Sequence, residues 1–332
     1  MKRIILPLTI IALLLLLFVG CNEDNAGLFK QVSDSEPKTK LGSIQILGIK
    51  DTTLYALTSV KGLHKYDTTT KTWSNIPSTQ VIHATYDSVN NNLIYAQRAT
   101  GDTKNKVFTF TGTTSTETDS LHVINMAPEH NLILVKNDDG DYQVKEYNDD
   151  ASKFKNEGNE YSTFTDVPFL VAFDDNEYIV SGKADDKYDH YYYKDSSTKL
   201  SATGTNNDQF VKYQIVAMGV ESTNLIVVTN DGSIWYGDSS TVSHKGNIKL
   251  ANTSLTLYPS FVHDKVFYIQ DIDRIFHTYN LSDGSSVSND QIAKALNNEK
   301  AIKSFLVDND DLYIGYIEIG LKVFDLGTQQ FK

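Results

Sequence analysis

The side chains able to do chemistry are few in this sequence, which holds eight histidines, one cysteine and 19 tyrosines. His83 and His122 lie 39 residues apart, the spacing that also separates Leu93 from Leu132. Both imidazoles are therefore expected at equivalent places on neighbouring strands, facing a common axis. Two imidazoles begin a metal donor set, but such a site needs a third ligand and groups that orient the rings, and Asp87 is only a guess for that role. The plainer expectation is no metal and a pair of histidines that hydrogen-bond near the axis, where they would line a ligand site. Tyr188, His190, Tyr191, Tyr192 and Tyr193 form the densest aromatic group. On a strand, Tyr191 and Tyr193 share one face and Tyr192 takes the other. Whatever part of Tyr188, Tyr191 and Tyr193 stays exposed would stack on a sugar or a peptide, the rest being packing.

Other reactive arrangements are missing. No Gly-x-Ser-x-Gly turn is present to hold a nucleophilic serine, and no Gly-x-Gly-x-x-Gly or Gly-Lys-Ser/Thr loop is present to cradle phosphate. The acidic runs at 137–141, 185–186 and 308–311 lack the alternating ligand spacing of a calcium loop and read as solvated turns. No cofactor is expected. Asp231-Gly232 inside Thr229–Trp235 and Asp139-Gly140 read as hairpin turns whose glycine takes a positive φ.

The elements that must position these groups repeat. A short apolar strand ending in an aromatic and then a small or polar residue closes on Tyr66, Phe110, Tyr147, Tyr193, Tyr236, Tyr279 and Phe324. The intervals are 44, 37, 46, 43, 43 and 45 residues. A second apolar strand precedes each one, as at Leu54-Tyr55-Ala56 and Leu312-Tyr313-Ile314, and a third lies upstream, as at Ile44–Leu47. A more polar fourth strand fits Thr72-Trp73-Ser74. Sheets of this size cannot hide both faces alone and must pack against neighbours. The expected fold is all-β: a seven-bladed β-propeller of four-stranded antiparallel blades over residues 43–332. One segment departs from this pattern: Ser288–Gln291 followed by Ile292, Ala293, Ala295 and Leu296 has a helix start and helical apolar spacing.

The N-terminus has a different composition. Lys2-Arg3, a mostly apolar run from Ile4 to Val19 and then Gly20-Cys21 form a secretory pattern. Phe18-Val19-Gly20-Cys21 resembles the lipobox of bacterial lipoproteins, with phenylalanine where leucine is usual. That resemblance implies a signal peptide at 1–20, lipidation of Cys21, a flexible tether over 21–42 and a place in the bacterial cell envelope at the outer membrane. Asn22-Glu23-Asp24 resembles the acidic tract that follows the lipidated cysteine in some surface-exposed lipoproteins. Loss of Lys2 and Arg3 leaves 28 cations against 42 acids, a net charge of −14. Nucleic acid is therefore not an expected partner; the membrane is, through the lipid on Cys21.

Two stretches carry a family resemblance. Tyr66–Trp73 resembles the Tyr-Asp, threonine, tryptophan portion of a kelch repeat, without its double glycine. Leu312–Tyr316 followed by Gly320-Leu321 resembles the regulator-type propeller repeats of bacterial sensor ectodomains. The resemblance implies a propeller and carries no functional residue with it. A sialidase-like propeller would need three arginines on its substrate carboxylate, and Arg98 and Arg274 are the only two beyond Arg3. Two readings follow. The first is a non-enzymatic envelope lipoprotein whose propeller is a protein- or glycan-binding scaffold. The second is a carbohydrate-active lyase or hydrolase whose carboxylates and tyrosines converge on the axis from separate blades.

Overall fold

Short apolar strands alternating with polar turns satisfy their backbone donors by pairing in antiparallel hairpins. A computed structural model describes residues 41–332, except 61, 79, 89, 100–103, 129, 149–152, 175, 195, 204–205, 251–256 and 298, and except the side chains at 148, 153, 155–159 and 174. The expected signal peptide, Cys21 and nearly all of the tether lie outside the described residues.

Six sheets form among the described residues. The first is β1 (Ile44–Lys50), β2 (Thr53–Thr58), β3 (Gly62–Asp67) and β4 (Thr72–Asn75), paired in that order. The second has seven strands: β5 (Val81–Asp87), β6 (Asn92–Gln97), β7 (Asn105–Phe110), β8 (Ser115–Met126), β9 (Leu132–Lys136), β10 (Tyr142–Asn148) and β11 (Lys153–Tyr161). Its long strand β8 pairs with β7 through Ser115–Leu121 and with β9 through His122–Met126. The third is β12 (Phe169–Asp174), β13 (Glu177–Ala184), β14 (Lys187–Lys194) and β15 (Ser196–Lys199). The fourth runs from β17 (Ile215–Glu221) through β18 (Asn224–Thr229) and β19 (Ser233–Gly237) to β20 (Thr241–Asn247). The two-residue β16 (Ser201–Ala202) joins the edge of this sheet, parallel to β20. The fifth is β21 (Ser260–His263), β22 (Val266–Gln270) and β23 (Phe276–Asn280). The sixth is β24 (Ile302–Asp308), β25 (Asp311–Tyr316), β26 (Leu321–Asp325) and β27 (Gln330–Phe331). Two short helices, α1 (Asn207–Phe210) and α2 (Gln291–Leu296), complete the elements.

The uniform four-stranded blade expected from the repeats is not what forms everywhere. After β23 the chain makes only a single bridge back, Tyr279 with Ser286, and then enters α2. Asp290 caps this helix by accepting from Ala293 N at 2.8 Å, and Ile292, Ala293 and Leu296 are buried beside Phe276. Helical apolar spacing there wins over a fourth strand. No turn residue separates Leu121 from His122, so β8 continues straight from an outer strand into an inner one.

The first strands neighbour one another in a cycle: β1 beside β5, then β8, β12, β17, β21, β24 and β1 again. Apolar clusters fill the gaps between successive sheets. Leu54 of β2 joins Ile44, Leu306 and Tyr313 on one side, while the next residue, Tyr55, joins Tyr86 and Leu93 on the other. Both faces of each middle strand are thus buried, which explains why the strands read as continuous apolar runs. Tyr55 and Tyr86 stack with centroids 4.9 Å apart. A methyl on Gly48 would run into the Tyr86 ring, so glycine is what lets β1 approach β5. Where the last sheet meets the first, Ser304 Oγ accepts from Ile46 N at 2.8 Å and donates to Ile44 O at 3.2 Å. Ser181 Oγ does the same office between the third and fourth sheets, accepting from Ile215 N at 3.0 Å.

Candidate functional site

In each antiparallel unit the turn between second and third strands lies at the end where the first strand begins. That end is here called the upper face. Backbone bonds tie its parts together: Ser59 N donates to Ser43 O (3.1 Å), Asn230 N to Gln214 O (2.9 Å), Ile272 N to Lys249 O (2.8 Å) and Ile317 N to Ala301 O (3.0 Å). Each bond joins a turn to the segment leading into an inner strand. These four turns are therefore held by the same frame, and their side chains are what differ.

Around β24, β1 and β21 the turns are apolar at their tips. Val60 is 64% exposed, Ile272 54%, Ile275 45% and Ile317 43%. Three acids beside them are compensated. Lys249 Nζ sits 2.9 Å from Asp273 Oδ2, and Asp271 accepts from Ile275 N and pairs with His277 Nε2 at 2.8 Å. Glu299 takes Tyr316 OH at 2.7 Å and Lys322 Nζ at 3.0 Å. On the turns of β9–β10 and β13–β14 the tips are instead Asp138, Asp139, Asp185 and Asp186, all exposed. Lys104 Nζ reaches Asp138 at 2.8 Å, but both groups are well solvated and the pair contributes little. Exposed Asp166 and Val167, the latter 43% exposed, belong to this second half. Asp-Gly turns behave as expected, with φ of +97° at Gly140 and +90° at Gly232.

The structure separates the residues singled out by sequence. His83 and His122 lie on the neighbouring inner strands β5 and β8, but not at equivalent places. His83 pairs with Ala96 just after an extra residue, Ile82, whereas His122 pairs with Lys136 before an extra residue, Ile124. Counting along the partner strands, Val123 is the residue matched to His83, so the equivalence drawn from the 39-residue spacing is corrected. Bulges move a strand's register without leaving a mark in local spacing. Burial holds the His83 imidazole below its ordinary pKa. Burial also lowers the ammonium of Lys303, the extra residue in the bulge of β24.

Tyr191 and Tyr193 share a face, as their spacing requires, and each is half-buried there by packing: Tyr191 lies 5.3 Å from the Tyr161 ring, and Tyr193 stacks on Tyr178 at 4.7 Å. Tyr192 points to the other side, with its hydroxyl on Glu177. Tyr188 sits apart at the start of β14, half-buried; desolvation first and Asp166 second raise its hydroxyl pKa. The fifth member of the group, His190, is wholly buried between Ser181 Oγ (2.9 Å) and Phe210 O (3.4 Å). Desolvation pushes its pKa down to about 4. Sequence reasoning missed Val60, Ile272, Ile275 and Ile317. Their signal was available as apolar side chains inside turn segments such as Asp271–Ile275, where polar residues are the norm.

Among the described residues, no group of three or more His, Cys, Asp or Glu is placed to hold a metal ion, and no helix is long and apolar enough to cross a membrane.

No family model matches the chain, and no curated protein matches it. Solved structures do. The computationally designed Ika8 protein is 15% identical at a TM-score of 0.57, covering 89% of this chain and 87% of its own. Sqt1 of Saccharomyces cerevisiae is 11% identical at 0.56, covering 89% and 85%. The WD40 beta propeller domain of Doa1 is 14% identical at 0.52, covering 87% and 94%. Likeness at these identities speaks to fold alone: the chain has a β-propeller fold.

Proposed function

We propose that this protein is a non-enzymatic, lipid-anchored scaffold of the bacterial envelope whose propeller offers the acidic half of its upper face to a protein partner. In this reading the cycle of inner strands is seven blades, with the seven-stranded sheet counted as two blades fused through β8. Cys21 carries the lipid, and the tether joins it to the propeller. The resemblance to kelch and regulator-type repeats remains part of this proposal, resting on Tyr66–Trp73 and Leu312–Tyr316.

The observation that carries the reading is the set of exposed carboxylates at Asp138, Asp139, Asp185 and Asp186, carried on the turns of two successive hairpins with half-buried Tyr188 beside the second. Carboxylates on a fixed frame favour a basic partner and speed its approach. Propellers of the WD40 type serve in general as protein-binding scaffolds, which supports the class. On the inner strands His83 and Lys303 are half-buried and His122 is exposed, and a glycan at the axis would meet them first.

The test has two arms. Mass spectrometry of the protein purified from envelope membranes is expected to show an acylated N-terminal cysteine at position 21, and an unmodified Cys21 would remove the anchor. Affinity capture from the same membranes is expected to retain a basic partner that is released by salt and by joint substitution of Asp138, Asp139, Asp185 and Asp186 with asparagine. Retention unchanged by either treatment would overturn the acidic-face reading.

A further inference from the structure

The exposed apolar side chains are not scattered. Among the described residues six large ones are markedly exposed: Val60, Val167, Ile272, Ile275, Ile317 and Phe331. Phe331 lies on the outer strand β27, against Phe324. The other five are all on the upper face, and four of them sit on turns of the first, fifth and sixth sheets. Those sheets are consecutive in the cycle, since β21 neighbours β24 and β24 neighbours β1. Single exposed hydrophobes need no explanation, but four on adjacent turns of one face do.

We propose that this apolar half of the upper face docks on a zwitterionic lipid surface, seating the propeller on the membrane by one edge. Three observations favour lipid as the occupant. First, the described chain begins at this place. Ser43 N bonds Ser59 Oγ at 3.0 Å, and Gly42 lies directly under Ser59 and Val60. Nineteen residues separate Cys21 from Leu41; a coil of that length would reach roughly 25 Å, so an acyl anchor on Cys21 would hold these tips near the headgroups at high effective concentration. Second, this half carries no excess of acid. Asp273, Asp271 and Glu299 each have cationic or hydrogen-bonded partners, and exposed Glu318 stands with exposed Arg274 and Lys300. A surface without excess negative charge approaches the phosphates of a zwitterionic bilayer at little electrostatic cost. Third, the apolar groups stand on three turns, so each turn can enter the interfacial layer individually, as amphipathic surfaces do. The uncompensated Asp139, Asp185 and Asp186 lie on the other half of the same face. The disc therefore tilts, with the apolar edge down and the acidic edge raised toward a partner.

The inference rests on the anchor reading, and the experiment separates the two. The full-length protein, purified from membranes, receives a single polarity-sensitive fluorophore on cysteine introduced by Ile272→Cys, Ile317→Cys, Asp186→Cys or Asp238→Cys, and is reconstituted on phosphatidylcholine vesicles. Fluorophores at 272 and 317 are expected to brighten severalfold and to be quenched by nitroxide-bearing lipid, while those at 186 and 238 stay as in buffer. In an Ile275→Ser background the change at 317 is expected to fall at least twofold. Equal response at all four positions, or none, would overturn the docking. So would brightening that grows with protein concentration at fixed lipid, which would mean a second copy covers the patch. The mass of the same sample decides the anchor by itself: an unacylated Cys21 sinks that reading, and the pattern at 272 and 317 against 186 and 238 still decides docking.

Discussion

The two halves of the upper face share a backbone and differ in what it displays. On one side the β25–β26 turn is tied by Ile317 N to Ala301 O and shows Ile317; on the other the β18–β19 turn is tied by Asn230 N to Gln214 O and shows Asp231. The same division holds for Ile272 and Ile275 against Asp185 and Asp186. The β25–β26 and β18–β19 turns hang from matching backbone bonds, so the frame alone does not explain the contrast. The frame fixes where a tip stands and leaves its chemistry open, which is how a propeller hosts unrelated functions.

The largest effect should come from crowding the frame beneath the apolar half. A side chain on Gly315 would meet Ile44 O and lie about 2.7 Å from Ser304 Oγ, at the seam between last and first sheets. Gly315→Val is expected to lose at least about 3 kcal/mol in guanidinium unfolding, because backbone cannot move aside. Gly140→Ala, in the acidic half, strains a positive φ but meets open space, and should lose only about 1 kcal/mol. Similar losses at both sites would show that the seam carries no special strain.

His190 tests the acidic half from inside. Its folded pKa of about 4 lies below the ordinary 6.5, so the unfolded chain takes up the proton first as pH falls. Stability should therefore drop between pH 6.5 and 4 by on the order of 3 kcal/mol, and level off below. His190→Gln should weaken the fold at neutral pH yet flatten this slope; a mutant slope as steep as the parent's would assign the pH dependence elsewhere. Next in size are the two seam serines. Ser304→Ala under the apolar half and Ser181→Ala under the acidic half each orphan a buried N–H, of Ile46 and Ile215 respectively, at about 1–3 kcal/mol. Thermal unfolding should rank them together, and a wide gap would mean the halves are framed differently. Smallest is the joint asparagine substitution at Asp138, Asp139, Asp185 and Asp186: exposed tips should move stability by no more than about 0.5 kcal/mol each, so that any lost binding reports recognition and not unfolding.

Much of the frame was readable because its turns are capped by sequence-local groups. Asp67 Oδ1 accepts from Thr69 N and Thr70 N, Asp238 Oδ1 from Ser240 N and Thr241 N, and Asp325 Oδ1 from Thr328 N. These bonds hold all three carboxyls below the usual range, and they are the polar residues that follow the repeated aromatics. The α2 start at Asp290 was legible for the same reason. What escaped was non-local. A bulge shifts register only relative to a partner strand, so Ile82 and Ile124 undid the match of His83 with His122. How much of Tyr191 and Tyr193 is packing depends on Tyr161 and Tyr178, which come from other strands. The apolar tips form a group only once β21, β24 and β1 are known to be neighbours.

Hydrogen–deuterium exchange of the full-length protein, with and without phosphatidylcholine vesicles, tests the division of the upper face most directly. The account predicts that lipid slows exchange in the turns at 271–275 and 316–320 and leaves those at 137–141 and 184–187 unchanged. Slowing spread evenly over both sets, or confined to the acidic turns, would contradict it.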